Sequence, residues 1–125
     1  MSSAEIELPE ALQHYLRMWN EMEPDSIRSH LDQAVAHDCL WVDPQHNHVG
    51  RDALEANVRG FRARFKKASL QLGSNVDGHN NRYRYEWVIK MGNRLLLRGF
   101  DVTTINEEGL IERVDGFFGT LDRIE

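Results

Sequence analysis

The sequence lacks the short motifs that mark several large classes of enzyme and binding protein. It has no glycine-rich phosphate loop, no serine nucleophile elbow and no pair of closely spaced cysteines. Nucleotide hydrolysis, α/β-hydrolase chemistry and zinc-ribbon binding therefore have no support. Cys39 is the single cysteine, so no disulfide can form within the chain. We expect Cys39 to be a small buried apolar residue, and we expect chemistry that needs no cofactor.

Long apolar runs and an excess of positive charge are also missing. No apolar run approaches the roughly 20 residues needed to cross a bilayer, so we expect no membrane span. Residues 1–5 contain neither the basic segment nor the apolar core of a signal peptide, and we therefore expect a cytoplasmic protein. The net charge of -5 and the pI near 5.7 argue against a nucleic-acid partner.

The nearest approach to a basic patch lies in the middle of the chain. Its positive residues alternate with apolar ones at helical spacing, which predicts the solvated face of a helix and not a phosphate-binding stripe. The positive residues are Arg59, Arg62, Arg64, Lys66 and Lys67.

The chain is long enough for one globular domain, and nothing in it indicates a division. It has 125 residues, of which 41% are hydrophobic, so a sizeable core can form. Repeats, low-complexity tracts and linkers are absent from the sequence. We expect residues 1–125 to form a single domain.

Helical periodicity dominates the first half of the sequence. Pro9 is suited to the first turn of a helix with an apolar stripe, and Pro24-Asp25 begins a second helix. A third helix follows Gly50, and a short strand from Cys39 to Val42 precedes it. Between this strand and the third helix we expect a loop rich in His and Asn. The predicted stripes are Leu12, Tyr15, Leu16 and Trp19; Ile27, Leu31 and Val35; and Leu54, Val58, Phe61 and Phe65.

From Ser69 the period changes to two, which predicts strands. The clearest alternation spans residues 82–91, and turns are expected at residues 77–81, 92–93 and 106–109. The last two strands are expected over residues 94–105 and 110–121. The pattern predicts an α+β protein in which helices cover one face of an antiparallel sheet of three or four long strands.

Two aspartates are the strongest candidates for chemistry. Asp43 lies at the end of an apolar strand, where Pro44 stops the strand. Asp101 lies on an apolar strand, and alternation places it on one face with Leu95, Leu97 and Gly99. Burial there would raise its pKa and let it exchange a proton near neutral pH.

Structural roles explain both aspartates equally well from the sequence. Asp101 could pair with an arginine or lie at a strand bend. Asp43 could accept hydrogen bonds from backbone amides in an Asp-Pro turn, which needs no ligand.

The order of several motifs along nearly the whole chain resembles a known family. The sequence is similar to the SnoaL-like polyketide cyclases and ketosteroid isomerases of the nuclear-transport-factor-2-like superfamily. The resemblance implies a cone-shaped, strongly bent antiparallel sheet with N-terminal helices enclosing an apolar pocket, often dimeric through the outer sheet face. The motifs are Trp41-x-Asp43-Pro44, Gly50-x-Asp52-Ala53-Leu54, Gly99-x-Asp101 and Gly109-Leu110-Ile111-x-x-Val114-x-Gly116-Phe117.

The resemblance also implies roles for three residues. Asp43 matches the catalytic base of the isomerases, and Asp101 matches the protonated acid that donates to the oxyanion. Tyr15 matches the tyrosine that donates beside it, although a core aromatic is the simpler interpretation of a tyrosine on a helix stripe. In the SnoaL-like cyclases an aspartate on the strand of Asp101 is the general acid and base. We expect the ligand to contact Trp41, His46, His48, Tyr85, Trp87, Val114, Gly116 and Phe118.

The histidines near Asp43 allow two further interpretations. His46 or His48 could be a proton shuttle at the pocket mouth, because histidine titrates near neutral pH. Together with His37, Asp38 and Asp43 they could bind a metal, but the spacing does not ensure that three ligands converge. We expect no metal and no other cofactor.

Two functions remain open at this point. The first is a cofactor-independent enzyme that isomerises or cyclises a hydrophobic carbonyl compound by acid and base catalysis. The second is a module that binds an apolar small molecule or a protein partner in the same cone without chemistry. In either case we expect a homodimer.

Overall fold

The computed structural model describes residues 7–124 and contains three α-helices, a short 3-10 helix and seven strands in that range. The helices are α1 (Glu10–Met18), the 3-10 turn (Pro24–Ser26), α2 (Ile27–Ala34) and α3 (Arg51–Arg64). The strands are β1 (Val35–Asp43), β2 (His46–Val49), β3 (Ala68–Leu72), β4 (Asp77–His79), β5 (Arg82–Met91), β6 (Arg94–Ile105) and β7 (Ile111–Phe118).

The apolar stripes predicted for the helices form the core. From α1, Leu12 and Met18 are fully buried, and Ile27 and Leu31 of α2 pack into the same cluster. Leu54 and Val58 of α3 complete the helical side. α2 passes directly into β1 at Val35, so the second predicted stripe ends in a strand. None of the helices in residues 7–124 is long and apolar enough to span a membrane.

The strands form one mixed, strongly curved sheet. Its order is β2-β1-β7-β6-β5-β3, and β4 pairs with β5. The prediction of an antiparallel sheet needs one correction, because β1 runs parallel to β7. The two strands lie far apart in the chain, so no hairpin fixes their relative direction. The bent sheet with N-terminal helices is otherwise as predicted.

Two segments that we expected to be irregular contain short strands. The loop rich in His and Asn forms β2, in which His46 pairs with Asp43 and His48 pairs with Trp41. The turn expected at residues 77–81 is confined to Asn80 and Asn81, which adopt positive φ angles of 48° and 63°. Asparagine tolerates this left-handed conformation, and the tight turn lets β4 pair with β5.

A bulge in β6 changes which leucines face inward. Ile89 pairs with Leu97 and Lys90 pairs with Leu95, so Leu96 is the extra residue. Alternation resumes after it, and Gly99 and Asp101 are buried. The predicted inward position of Leu95 is wrong, because the bulge turns this side chain outward and leaves it 44% exposed.

Arg62 also differs from the prediction of a solvated basic face. Its side chain is 7% exposed, and its guanidinium donates to the backbone oxygens of Ala68 at 2.6 Å and Lys66 at 3.1 Å. These bonds connect the end of α3 to the start of β3. Arg62 is therefore a structural residue, and Arg64 on the same helix is exposed.

Candidate active site

A cavity of about 460 Å³ lies between the concave face of the sheet and helices α1 and α3. Aromatic and aliphatic side chains form most of its wall, and a small number of polar groups lie among them. This composition is typical of small-molecule sites. The polar residues on the wall are Tyr15, Asp43, Gln45, His46, Asn57, Arg64, Tyr85 and Asp101.

Asp101 is a buried carboxyl group on the cavity wall. Its side chain lies on β6 and accepts hydrogen bonds from Trp87 Nε1 at 2.9 Å and from the hydroxyl of Tyr85 at 3.2 Å. Burial raises its pKa from 3.8 to about 7, the two donors oppose this rise, and the charge of Asp43 adds to it. No arginine or lysine in residues 7–124 forms an ion pair with it. Near neutral pH the group can therefore both donate and accept a proton.

The donors to Asp101 belong to a short chain of hydrogen bonds. The hydroxyl of Tyr85 lies 3.1 Å from Oγ1 of Thr103. Because Tyr85 has one hydrogen and gives it to Asp101, Thr103 is the donor in this second contact. Burial, together with the charge of Asp101, raises the pKa of Tyr85 well above its usual range. Tyr85 therefore remains a protonated donor to Asp101.

Gly116 provides the space between the two aspartates. A Cβ atom at this position would lie 3.0 Å from Oδ1 of Asp101 and 3.4 Å from Cβ of Asp43. The two acids thus flank one small opening, in accordance with the pairing of Asp101 with Gly116 between β6 and β7. A side chain here would separate them.

Asp43 is held at the end of β1 by its neighbours in the turn. Its Oδ1 accepts the backbone N–H of Gln45 at 2.8 Å. This is the Asp-Pro turn contact that was one of the two interpretations of Asp43 from the sequence. The same oxygen lies 2.9 Å from Nδ1 of His46. The carboxyl is 10% exposed and the imidazole 31% exposed. Asp43 therefore has the structural role of an Asp-Pro turn and also reaches the cavity.

Tyr15 reaches the cavity from α1. Its hydroxyl oxygen accepts a hydrogen bond from Trp41 Nε1 at 2.7 Å, and Trp19 also approaches it. Burial, together with the charge of Asp101, raises the pKa of Tyr15 well above its usual range. Since the contact with Trp41 uses the oxygen as acceptor, the hydroxyl hydrogen is available for another partner. The ring is also part of the core cluster. Tyr15 is therefore a core aromatic whose hydroxyl also reaches the cavity wall.

A sequence profile of the SnoaL-like domain matches residues 12–114, which is most of the chain. The chain belongs to the SnoaL-like family. No curated protein matches its sequence.

Solved structures agree with this assignment. A protein from Agrobacterium tumefaciens, described as a proposed isomerase of the SnoaL-like family, is 31% identical, covers 88% of this chain and 95% of its own, and superposes with a TM-score of 0.81. A proposed polyketide cyclase from Sinorhizobium meliloti is 13% identical over 91% of this chain and 99% of its own, with a TM-score of 0.71. A nuclear-transport-factor-2-like protein of unknown function from an Exiguobacterium species is 14% identical over 89% and 99%, with a TM-score of 0.72. The last two show the fold alone.

Most of the residues expected at the site of this SnoaL-like domain lie on the cavity wall. They are Tyr15, Trp41, Asp43, His46, Tyr85, Trp87, Asp101, Gly116 and Phe118. His48 and Val114 do not line it. The imidazole of His48 stacks on Trp41, with ring centroids 6.1 Å apart, and Val114 is 1% exposed within the core. His48 therefore packs against a wall residue, and Val114 is part of the core.

The sequence analysis missed one side of the cavity. Asn57 and Arg64 contribute polar groups from α3, next to Phe61 and Phe65. These four residues recur at helical spacing, so the predicted stripe of Phe61 and Phe65 could have identified the other two. In residues 7–124 no group of three or more His, Cys, Asp and Glu side chains converges as metal ligands would.

Cys39 has the role expected of it. It is 1% exposed, and burial raises the pKa of its thiol to about 12. Burial therefore disfavours the reactive thiolate form at neutral pH.

Proposed function

We propose that this SnoaL-like domain is a cofactor-independent enzyme that moves a proton at a carbon next to a carbonyl group in a hydrophobic ketone. Isomerisation or cyclisation is the outcome. The observation that supports this most strongly is the buried carboxyl of Asp101 on the cavity wall, whose pKa of about 7 lets it act as a neutral hydrogen-bond donor.

The groups around the cavity supply the parts that enolisation needs. A neutral Asp101 donates to the carbonyl oxygen as negative charge develops on it, and the free hydroxyl hydrogen of Tyr15 is a second donor. A basic group on the part of the cavity wall where Asp43 lies removes the proton from the carbon next to the carbonyl. Because these donors are fixed and poorly hydrated, they stabilise the enolate more than solvent would.

The shape and polarity of the cavity support a hydrophobic substrate. Trp19, Trp41, Phe61, Trp87 and Phe118 contribute ring surfaces to the wall. Gly116 and Phe118 both lie on this wall, and Gly116 adds no side chain to it. The volume of about 460 Å³ lies within the range of known small-molecule sites. A fused-ring ketone meets both requirements.

The descriptions of two structural relatives are in line with this proposal. One relative is a proposed isomerase and another a proposed polyketide cyclase. Isomerisation and cyclisation are the two outcomes proposed here for this chain. The fold also hosts other activities, so the argument depends on the residues of this cavity.

Exchange of the protons next to a carbonyl is a test that needs no knowledge of the natural substrate. β-Tetralone and other fused-ring ketones are incubated with the protein in deuterium oxide, and loss of the proton signal is followed by NMR. We expect exchange above the buffer rate for the wild type, and a rate at least about 100-fold lower for Asp101→Asn. Asp122→Asn is the matched control, because this aspartate is exposed and lies after β7.

The same experiment separates the enzyme from the binding module. Ketones that bind, as shown by quenching of tryptophan fluorescence, but exchange no faster than in buffer would contradict catalysis and support binding without chemistry. An equal rate for the wild type and Asp101→Asn would contradict the role of Asp101.

We also propose that the protein forms a homodimer through the outer face of the sheet. Phe117 is 50% exposed and its ring stacks on Phe100 at 4.9 Å between centroids. Phe117 alternates with Gly116 and Phe118, so its side chain lies on the face away from the cavity. Phe100 is its cross-strand partner and lies on the same face. Light scattering should give the mass of a dimer for the wild type and of a monomer for Phe117→Glu. A monomeric wild type would contradict the proposal of a dimer.

The cytoplasmic location of the protein stays a prediction.

A further inference from the structure

We propose that His46 is the general base of this SnoaL-like domain and that Asp43 is the residue that positions it. The inference rests on the proposed proton transfer. It is based on the contact between His46 Nδ1 and Asp43 Oδ1 at 2.9 Å and on the presence of both side chains at the cavity wall. It assigns to Asp43 a different role from the one that the resemblance implies.

The hairpin between β1 and β2 fixes the imidazole next to the carboxyl. Asp43 and His46 are direct cross-strand partners, and Pro44 and Gln45 form the turn between them. The ring packs against Trp41 at 5.5 Å and His48 at 5.3 Å between centroids. Backbone pairing and two neighbouring rings therefore restrict its orientation, which a base needs in order to meet a carbon-bound proton.

The hydrogen bonds of Asp43 determine which ring nitrogen carries the hydrogen. Its Oδ1 already accepts the N–H of Gln45 at 2.8 Å, so Oδ1 is an acceptor. Nδ1 of His46 faces the same oxygen and must therefore be the donor. In the neutral ring the lone pair is then on Nε2, which has no hydrogen-bond partner within residues 7–124. The free nitrogen is the basic one.

The carboxyl of Asp43 is less suited to removing the proton itself. One of its oxygens is occupied by two donors, the amide of Gln45 and the imidazole of His46. Both donors fix the position of the carboxyl at the end of β1. The imidazole lies on the same cavity wall and is the less buried of the two, 31% exposed against 10% for the carboxyl. Proton removal is therefore assigned to His46 and positioning to Asp43.

The proton transfer balances with these residues alone. The bond from carbon to hydrogen breaks, and Nε2 of His46 binds the proton. The electron pair forms the enolate double bond, and the carbonyl oxygen takes the negative charge and accepts a hydrogen bond from Asp101. Asp43 stabilises the imidazolium. Return of the proton from Nε2 to a different carbon gives the isomer and restores the neutral ring.

The decisive variant is His46→Ala in the exchange assay with β-tetralone. We expect a rate at least about 100-fold lower than that of the wild type, and recovery of at least about tenfold on adding free imidazole to fill the space of the missing ring. A residue with a purely structural role would not give this recovery. His46→Gln, which can still donate to Asp43, should be equally slow. If this variant folds like the wild type, its low rate is not caused by unfolding. His79→Ala is the control, because His79 is exposed on β4.

Asp43→Asn tests the positioning role. Its amide oxygen can still accept from the Gln45 N–H and from Nδ1 of His46, but it has no negative charge to stabilise the imidazolium, so the rate should fall although the ring and its tautomer remain. Nitrogen NMR of the labelled protein should show the hydrogen of His46 on Nδ1 in the wild type and in this variant.

The outcomes distinguish this inference from the proposed function. A wild type that exchanges no ketone faster than buffer overturns the proposed function and the inference with it. An active wild type whose rate is unchanged in His46→Ala overturns the inference alone. A loss in His46→Ala that imidazole does not restore, or a wild-type ring with its hydrogen on Nε2, also overturns the inference.

Discussion

Replacing Asp101 with asparagine should stabilise the protein, and the gain should grow with pH. The side chain is 8% exposed, and burial raises the pKa of the carboxyl from 3.8 to about 7. Between these values the native state keeps a proton that the unfolded chain has already released. The free energy of unfolding of the wild type therefore falls as the pH rises from about 4 to about 7.

The size of the effect follows from the change in pKa. One pKa unit corresponds to about 1.4 kcal/mol, so the rise from 3.8 to about 7 corresponds to about 4 kcal/mol. Asparagine has nearly the same shape, its oxygen can accept from Trp87, and it has no charge to bury. The difference in the free energy of unfolding between Asp101→Asn and the wild type should therefore increase by about 1.4 kcal/mol per pH unit and become constant above about pH 7.

Urea denaturation at a series of pH values, followed by tryptophan fluorescence, measures this difference directly. Subtracting the wild-type curve removes the contributions of all other titrating groups. Asp122→Asn, an exposed aspartate, is the control and should show a difference that does not vary with pH. If the difference for Asp101→Asn were equally constant from about pH 4 to about pH 8, the carboxyl would be ionised throughout. That result would refute the burial argument and the acid role of Asp101.

Three substitutions near the cavity and one control on α3 test the packing by the free energy of unfolding in urea. Gly116→Ala should destabilise by about 1–3 kcal/mol, because the added Cβ would lie 3.0 Å from Oδ1 of Asp101; an unchanged value would show that the opening is wider than described. Tyr15→Phe should cost about 1–3 kcal/mol, since it leaves the buried Trp41 N–H without its acceptor; a stabilised variant would contradict this bond. Gly99→Ala should prevent stable folding, because its Cβ would overlap the backbone oxygen of Phe117. Gly60→Ala on α3 meets nothing within 4 Å and should stabilise by about 0.5–1 kcal/mol. Equal effects of these two alanines would contradict the described register of β6 and β7.

Local patterns in the sequence predicted most of the elements of the fold. The stripes on α1, α2 and α3 and the alternation in β5 depend on neighbouring residues alone, and all of them are present. The parallel pairing of β1 with β7 depends on residues about 75 positions apart, where no turn restricts the direction. β2 was missed because His46, Asn47 and His48 have little strand propensity, and its stability comes from pairing with β1.

At the candidate site, too, local patterns predicted some positions, and contacts between distant residues decided the others. The position of Asp101 on an inward face followed from alternation near the end of β6, whereas the bulge at Leu96 made the prediction for Leu95 wrong. The contact between Asp43 and His46 depends on a hairpin turn that the sequence did not reveal. The buried guanidinium of Arg62 could not be predicted either, because its partners are two backbone oxygens and the sulfur of Met22. Periodicity predicts which face a residue occupies, but not which atoms it meets.

The extra residue in β6 has a consequence for how this protein can change during evolution. The first part of the strand is aligned by the turn at Gly92 and Asn93, and the part that contains Asp101 is aligned by β7. Leu96 separates the two alignments, so the loss of one residue there would restore a regular ladder and leave the carboxyl facing inward. A deletion between Gly99 and Asp101 would instead reverse the orientation of that carboxyl. We therefore expect related sequences to vary in length before Gly99 but not between Gly99 and Asp101.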